Sequence, residues 1–80
     1  MAEASANPTI ELDRVRVTPG LRSGQPHLRD TRVTVGDILG WLAEGMTPEE
    51  ILHDFPYLEA ADIPAALAWA ARQQRATRAG

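Results

Sequence analysis

Two histidines, eleven carboxylates and eight arginines are the side chains through which this 80-residue sequence could do chemistry. His27 and His53 fall in different segments, and neither has a partner at a metal-ligand spacing such as i, i+4 on one helix. His53 and Asp54 are adjacent, but neighbours on a helix point in different directions, so a solvated helix end is expected there rather than an acid–base pair. The absence of cysteine excludes disulfides and thiolate metal sites. No Gly-rich phosphate loop and no nucleophile motif is present. The residues therefore predict no enzyme activity, no metal and no cofactor.

The arginines are the remaining chemistry, and they are not spread evenly. Residues 14–32 carry Arg14, Arg16, Arg22, Arg29 and Arg32 against Asp30 alone. Residues 33–62 carry seven acids and no base, and residues 63–80 carry Arg72, Arg75 and Arg78 with no acid. The net charge of −3 hides this segregation. Every basic residue is arginine, the better side chain for bidentate pairing with carboxylate or phosphate. Genomic base composition accounts for that choice equally well.

The elements that must position these groups are organised around residues 42–52, Leu-Ala-Glu-Gly-Met-Thr-Pro-Glu-Glu-Ile-Leu. Gly45 suits the left-handed position just past a helix end. Thr47 and Glu50 form a Thr-x-x-Glu capping box, Pro48 falls at the first helical position, and Met46 with Ile51 can form a hydrophobic staple. The preceding helix starts at about Thr34, with a second box in Thr34 and Asp37 and an inward stripe of Val35, Ile38, Leu39, Leu42 and Ala43. The following helix runs from about Pro48 to Asp54, turns Ile51, Leu52 and Phe55 inward, and is ended by Pro56. Its many carboxylates, with those of the first helix, read as a solvated face.

A third helix is expected from about Asp62 to Gln74, with a loose or 3₁₀-like first turn because Pro64 cannot bond the Ala60 carbonyl. Its stripe is Ile63, Ala66, Leu67, Ala70 and Ala71. Before the helices the spacing predicts a short strand near residues 14–18, with an earlier edge segment from Ile10. A Thr18-Pro19-Gly20 turn follows, then a loop over 21–30 fixed by Gly24 and Pro26, and a second strand over Thr31–Val33.

Trp41 and Trp69 fall off the helical stripes. They either enlarge the core or form a second apolar surface for a dimer or partner, since tryptophan is enriched at interface hot spots. DNA contact has little support from the helices: the third begins Asp62, Ile63, Pro64, Ala65, with nothing to reach base edges, and those before it present negative charge. Phosphate contacts would have to come from the basic segment 14–32 (Arg14, Arg16, Arg29, Arg32) or from Arg72, Gln73 and Arg75. The tail arginines Arg72, Arg75 and Arg78 suit an acidic pocket on a partner protein, although Arg72 and Arg75 also complement the helix dipole.

Length bounds the rest. Eighty residues make one domain near the lower limit for a self-sufficient core, so dimerisation or docking is a realistic source of extra stability. The organisation expected is a flexible stretch over residues 1–8, a single domain over 9–75 and a flexible basic tail over 76–80. No apolar run is long enough to span a membrane, and Met1–Pro8 lacks the regions of a signal peptide, so a cytoplasmic location is expected.

The ordered set Gly24, Pro26, Arg29, Thr31, Arg32 and Val35, then Gly45, Thr47, Glu49, Glu50 and Ile51, the Phe55-Pro56 pair, and Asp62, Ile63, Ala66, Leu67 and Ala70 resembles a small prokaryotic family catalogued as domain of unknown function 433. The likeness covers about residues 9–73. It departs at Asp30, where the family pattern has glycine and where aspartate tolerates a left-handed turn, and at Pro64. The resemblance implies a mainly α fold with a small N-terminal β element, homeodomain-like or winged helix–turn–helix. It also implies a VapB-like antitoxin of a type II toxin–antitoxin pair, which binds and silences a PIN-like ribonuclease toxin and represses its own operon by binding operator DNA. By that analogy Arg29 and Arg32 are candidates for phosphate or structural contacts, with Arg32 also placed to tie carbonyls beside a tight turn. The alternative is a homodimeric protein-interaction module with no DNA role, using the Trp41 and Trp69 surfaces.

Overall fold

In the computed structural model, which describes residues 11–78, the chain passes through a short hairpin and then three helices. The expectations for residues 1–8 and for Ile10 lie outside the described residues. A 3₁₀ turn, Leu12–Arg14, leads into β1 (Val15–Arg16), and a second such turn, Arg22–Gly24, leads into β2 (His27–Leu28). The helices are α1 (Val35–Ala43), α2 (Pro48–Asp54) and α3 (Asp62–Arg78). The fold is mainly helical, with a small two-stranded element at its N-terminal end.

The hairpin is antiparallel, with Val15 opposite Leu28 and Arg16 opposite His27. The first strand falls where the sequence places it, and the Thr18-Pro19-Gly20 turn closes through the Leu21 N–H to the Thr18 carbonyl at 3.0 Å. The second strand does not. It lies at His27–Leu28, inside the expected loop, and Thr31–Val33 instead folds back against it, with the Leu28 N–H donating to the Val33 carbonyl and one bridge between His27 and Thr34. A two-residue strand is too short to show alternation, and Gly24 and Pro26 beside it read as loop formers. The left-handed residue of this turn is Arg29, at φ 48°, rather than Asp30.

The α1–α2 junction follows local rules throughout. The Met46 N–H reaches the Trp41 carbonyl and the Gly45 N–H the Leu42 carbonyl, both at 3.0 Å, with Gly45 at φ 101°. That pattern is a Schellman motif, and it satisfies two carbonyls that a helix end leaves free. Both capping boxes form, Thr34 with Asp37 and Thr47 with Glu50, and Pro48 opens α2.

α3 begins as expected: the Asp62 N–H bonds the Glu59 carbonyl at 2.9 Å in a 3₁₀-type step. It runs to Arg78 rather than stopping at Gln74, so most of the expected flexible tail is helical. Its inward face also differs. Ile63 and Ala66 are buried and Ala70 half-buried as predicted, but Leu67 is 45% exposed and Ala71 is exposed. Asp62, Ala65 and half of Trp69 face the body instead. Apolar periodicity could not place this face fully, because one of its three fully buried residues, beside Ala65 and Ala66, is the charged Asp62.

The core gathers Val15 and Leu28 from the hairpin, Val33, Val35 and Ile38 at α1, Ile51 from α2, Leu58, and Ile63, Ala65 and Ala66 from α3. Each fully buried Ile or Leu contributes about 2–3 kcal/mol relative to exposure. Among the described residues no helix is long and apolar enough to cross a membrane.

Candidate functional site

The arginines of the basic segment separate into two kinds. Arg14 and Arg29 converge on Asp62 at the start of α3, whose side chain is fully buried. Arg29 grips it with a fork: Nε donates to Oδ1 at 3.0 Å and Nη2 to Oδ2 at 2.7 Å. The same Nη2 donates to the Tyr57 carbonyl at 3.0 Å. Arg14 approaches from the other side, its Nη1 donating to Asp62 Oδ1 at 3.0 Å and to Glu59 Oε1 at 2.7 Å, while its Nε donates to Glu11 Oε1 at 2.8 Å. The Glu59 N–H donates to Asp62 Oδ2 at 2.8 Å, so the carboxylate is hydrogen-bonded through both oxygens.

A buried carboxylate is tolerated only when paired and bonded in this way. Burial pushes Asp62 up, but the Arg29 fork, the Glu59 N–H and Arg14 outweigh it and hold its carboxyl below the usual carboxylate range. The Arg14 guanidinium is held above its ordinary value first by Glu59 and then by Asp62, and Arg29 by Asp62. The cluster ties the 3₁₀ turn, the hairpin and the α2–α3 connection to α3. Arg14 and Arg29, expected as candidates for phosphate contact, are engaged here with carboxylates. Carbonyl-tying beside the tight turn falls to Arg29, not to Arg32. The sequence sign of the cluster was the excess of arginine over 14–32 followed by the excess of acid over 33–62.

Arg16 and Arg32 stay on the surface. Arg16 meets Asp30 at 3.1 Å, both side chains exposed. Arg32 is exposed, without a carboxylate partner among the described residues. On the far side, α3 continues past the body: residues 71–76 are all exposed, among them Arg72 and Arg75. The side chain of Arg78 lies outside those described.

Trp41 and Trp69 are half-buried and pack against the core. Trp41 stacks on Phe55 with ring centroids 4.3 Å apart and planes 14° apart, joining α1 to the end of α2. Phe55 in turn meets Tyr57 edge-on at 6.3 Å, and Tyr57 is 53% exposed. Both tryptophans thus pack on the core and stay partly exposed.

The histidines differ sharply. His53 is exposed and touches Asp54 at 3.4 Å, at the end of an open groove lined also by Met46, Glu49 and Glu50. His27 is 2% exposed, its Nε2 lies 3.1 Å from Thr18 Oγ1, and its buried Nδ1 has no hydrogen-bond partner among the described residues. Among the described residues no three His, Asp or Glu side chains gather in a metal-binding group.

Comparison with known proteins adds two findings. A family model described as "Protein of unknown function (DUF433)" matches residues 8–70. Among solved structures, the chain is similar to the crystal structure of a DUF433 member protein from Anabaena variabilis, at 25% identity and a TM-score of 0.73, over 90% of this chain and 82% of that one. No curated protein matches.

Proposed function

The chain belongs to the DUF433 family, and on that premise we propose that it is the antitoxin of a type II toxin–antitoxin pair, built on a homeodomain-like helix–turn–helix scaffold. It binds and neutralises a PIN-like ribonuclease. The observation that carries the reading is the end of α3, which leaves the body with Arg72 and Arg75 exposed and, among the described residues, no acid beside them. Such an arm suits an acidic pocket. PIN-like active sites hold their metal with carboxylates, and guanidinium groups pair with carboxylates bidentately and over short distances. Arg72 and Arg75 enter that pocket and occupy the metal ligands, with Arg78 next along the helix.

DNA binding is the weaker half of the reading and falls to Arg16 and Arg32. Arg14 and Arg29 serve the scaffold, holding α3 and its arm at a fixed angle to the hairpin. The test is inhibition of a PIN-like ribonuclease encoded beside this chain, with the full protein and with residues 72–80 deleted. Inhibition by the first and not the second is expected. A salt-dependent gel shift on upstream DNA, with and without the ribonuclease, tests the DNA half.

A further inference from the structure

The fold buries His27 without completing its hydrogen bonds. The residue lies on β2, opposite Arg16 of β1 and bridged to Thr34 just before α1. Nε2 meets the hydroxyl of Thr18 at 3.1 Å, while the buried Nδ1 has no partner among the described residues. A hydroxyl can donate or accept, so this bond serves a neutral imidazole in either tautomer. An imidazolium is different. Both nitrogens are then donors, and Nδ1 would bury an N–H and a charge with no acceptor. The charges nearby do not compensate. Arg16 is itself a cation and pairs with Asp30 at 3.1 Å, both side chains exposed. Thr34 caps α1, and the positive end of that helix dipole repels a second cation. Asp37, in the first turn of α1, spends its Oδ2 on the Thr34 N–H at 3.1 Å. Among the described residues no carboxylate pairs with His27, whereas the exposed His53 meets Asp54.

We propose that His27 is an acid-operated latch on the hairpin, closed by the neutral ring and opened by its protonation. Closed, the ring ties β2 to the exposed Thr18, and the backbone on either side of it is fastened. The Val35 N–H donates to the Pro26 carbonyl and the Leu28 N–H to the Val33 carbonyl, both at 2.9 Å. A charged ring that leaves its buried place, so that water can accept from Nδ1, breaks both bonds. The open form takes up a proton for which the closed form has no acceptor, so acid favours opening. Closure is complete above the range of an ordinary imidazole, about pH 6.5, and is lost as pH falls below it. Asp62 responds lower, in the carboxylate range, so the two effects are separate in pH. Arg29 lies two residues on, so opening reaches the grip on Asp62 at the start of α3. The inference does not rest on the antitoxin reading: it concerns how the hairpin is held to the body.

Amide hydrogen exchange on the full chain reads the latch, followed by NMR from about pH 7.5 to about pH 5 and corrected for the intrinsic rate. Protection at Leu28 and Val35, whose bonds flank His27, is expected to fall by up to about tenfold for each pH unit below about 6.5. Protection of the Phe55 N–H, bonded to the Ile51 carbonyl at 2.9 Å in α2, is expected to hold. His27→Phe keeps an aromatic ring in the site with no proton to take up, so its Leu28 and Val35 amides should not respond to pH. Thr18→Val covers the case in which that variant fails to fold. It keeps the imidazole and removes its hydroxyl partner, so the fall should begin at higher pH. Constant protection at Leu28 and Val35 in the wild-type chain overturns the proposal. So does an equal fall in His27→Phe, an unshifted fall in Thr18→Val, or a parallel fall at Phe55, which marks unfolding of the whole chain.

Discussion

Arg29 holds Asp62 in a two-pronged grip, 3.0 Å and 2.7 Å long, across 33 residues of chain, and so fixes the start of α3 to the turn after β2. Removing the carboxylate leaves two guanidinium groups facing a site built for a negative charge. Asp62→Asn is expected to cost about 3 kcal/mol, a fall in Tm of roughly 12 °C or more for a domain this small. Arg29→Lys keeps the charge but not the fork and is expected to cost about 1–2 kcal/mol. Thermal melts of the three proteins check the order.

The same carboxylate makes stability depend on pH. In the fold Asp62 is held below the usual range, so as pH falls the unfolded chain takes up its proton first and stability drops. The contribution of this group is complete well above the ordinary aspartate pKa of about 3.9. It is lost as pH falls below that value and through the folded one. Urea midpoints measured between about pH 6 and pH 2 should fall more steeply for the wild-type chain than for Asp62→Asn.

The division of the arginines predicts two different phenotypes. Arg16→Ala with Arg32→Ala should leave the melting temperature within about 2 °C of wild type, as exposed sites do, and should weaken any DNA binding. The slope of log K against log salt should flatten by about 0.9 for each phosphate that is no longer neutralised. Arg14→Ala and Arg29→Ala should instead lower the melting temperature. Gel shifts across a salt series, paired with melts, separate the two effects.

At the α1–α2 junction, Thr47→Ala removes the acceptor for the Glu50 N–H, now 3.1 Å from the hydroxyl. A loss of about 1 kcal/mol is expected. Gly45→Ala places a side chain at φ 101° and should be destabilising although no neighbour crowds that position. Chemical denaturation of both variants checks these values.

This junction was legible residue by residue because its rules are local: Gly45, Thr47, Pro48 and Glu50 each satisfy a backbone group within a few positions. The helix starts at Thr34 and Thr47 follow for the same reason. β2 was not legible, since two residues carry no period and Leu28 is buried by partners distant in sequence. The face of α3 was legible in part: Ile63, Ala66 and Ala70 turn inward as their spacing has it, but Leu67 and Ala71 do not, since hydrophobic periodicity assigns no weight to the buried Asp62. The roles of Arg14 and Arg29 were hidden for a related reason. Segment charges showed that opposite signs were available to pair, but only the folded chain brings Arg14 to Asp62 across 48 residues. The outward arginines Arg72 and Arg75 were legible, because at the end of a helix neither needs a tertiary partner to remain exposed.

The arm of α3, in the function proposed, silences a ribonuclease through its arginines. The direct measurement is a titration of a PIN-like ribonuclease of the kind proposed, with the wild-type chain and with Arg72→Ala/Arg75→Ala, followed by cleavage of an RNA substrate. Stoichiometric inhibition is expected from the wild-type chain, and a loss of at least about tenfold in potency from the double variant, with unchanged circular dichroism. Equal inhibition by the two proteins, or none by the wild-type chain, would contradict that role.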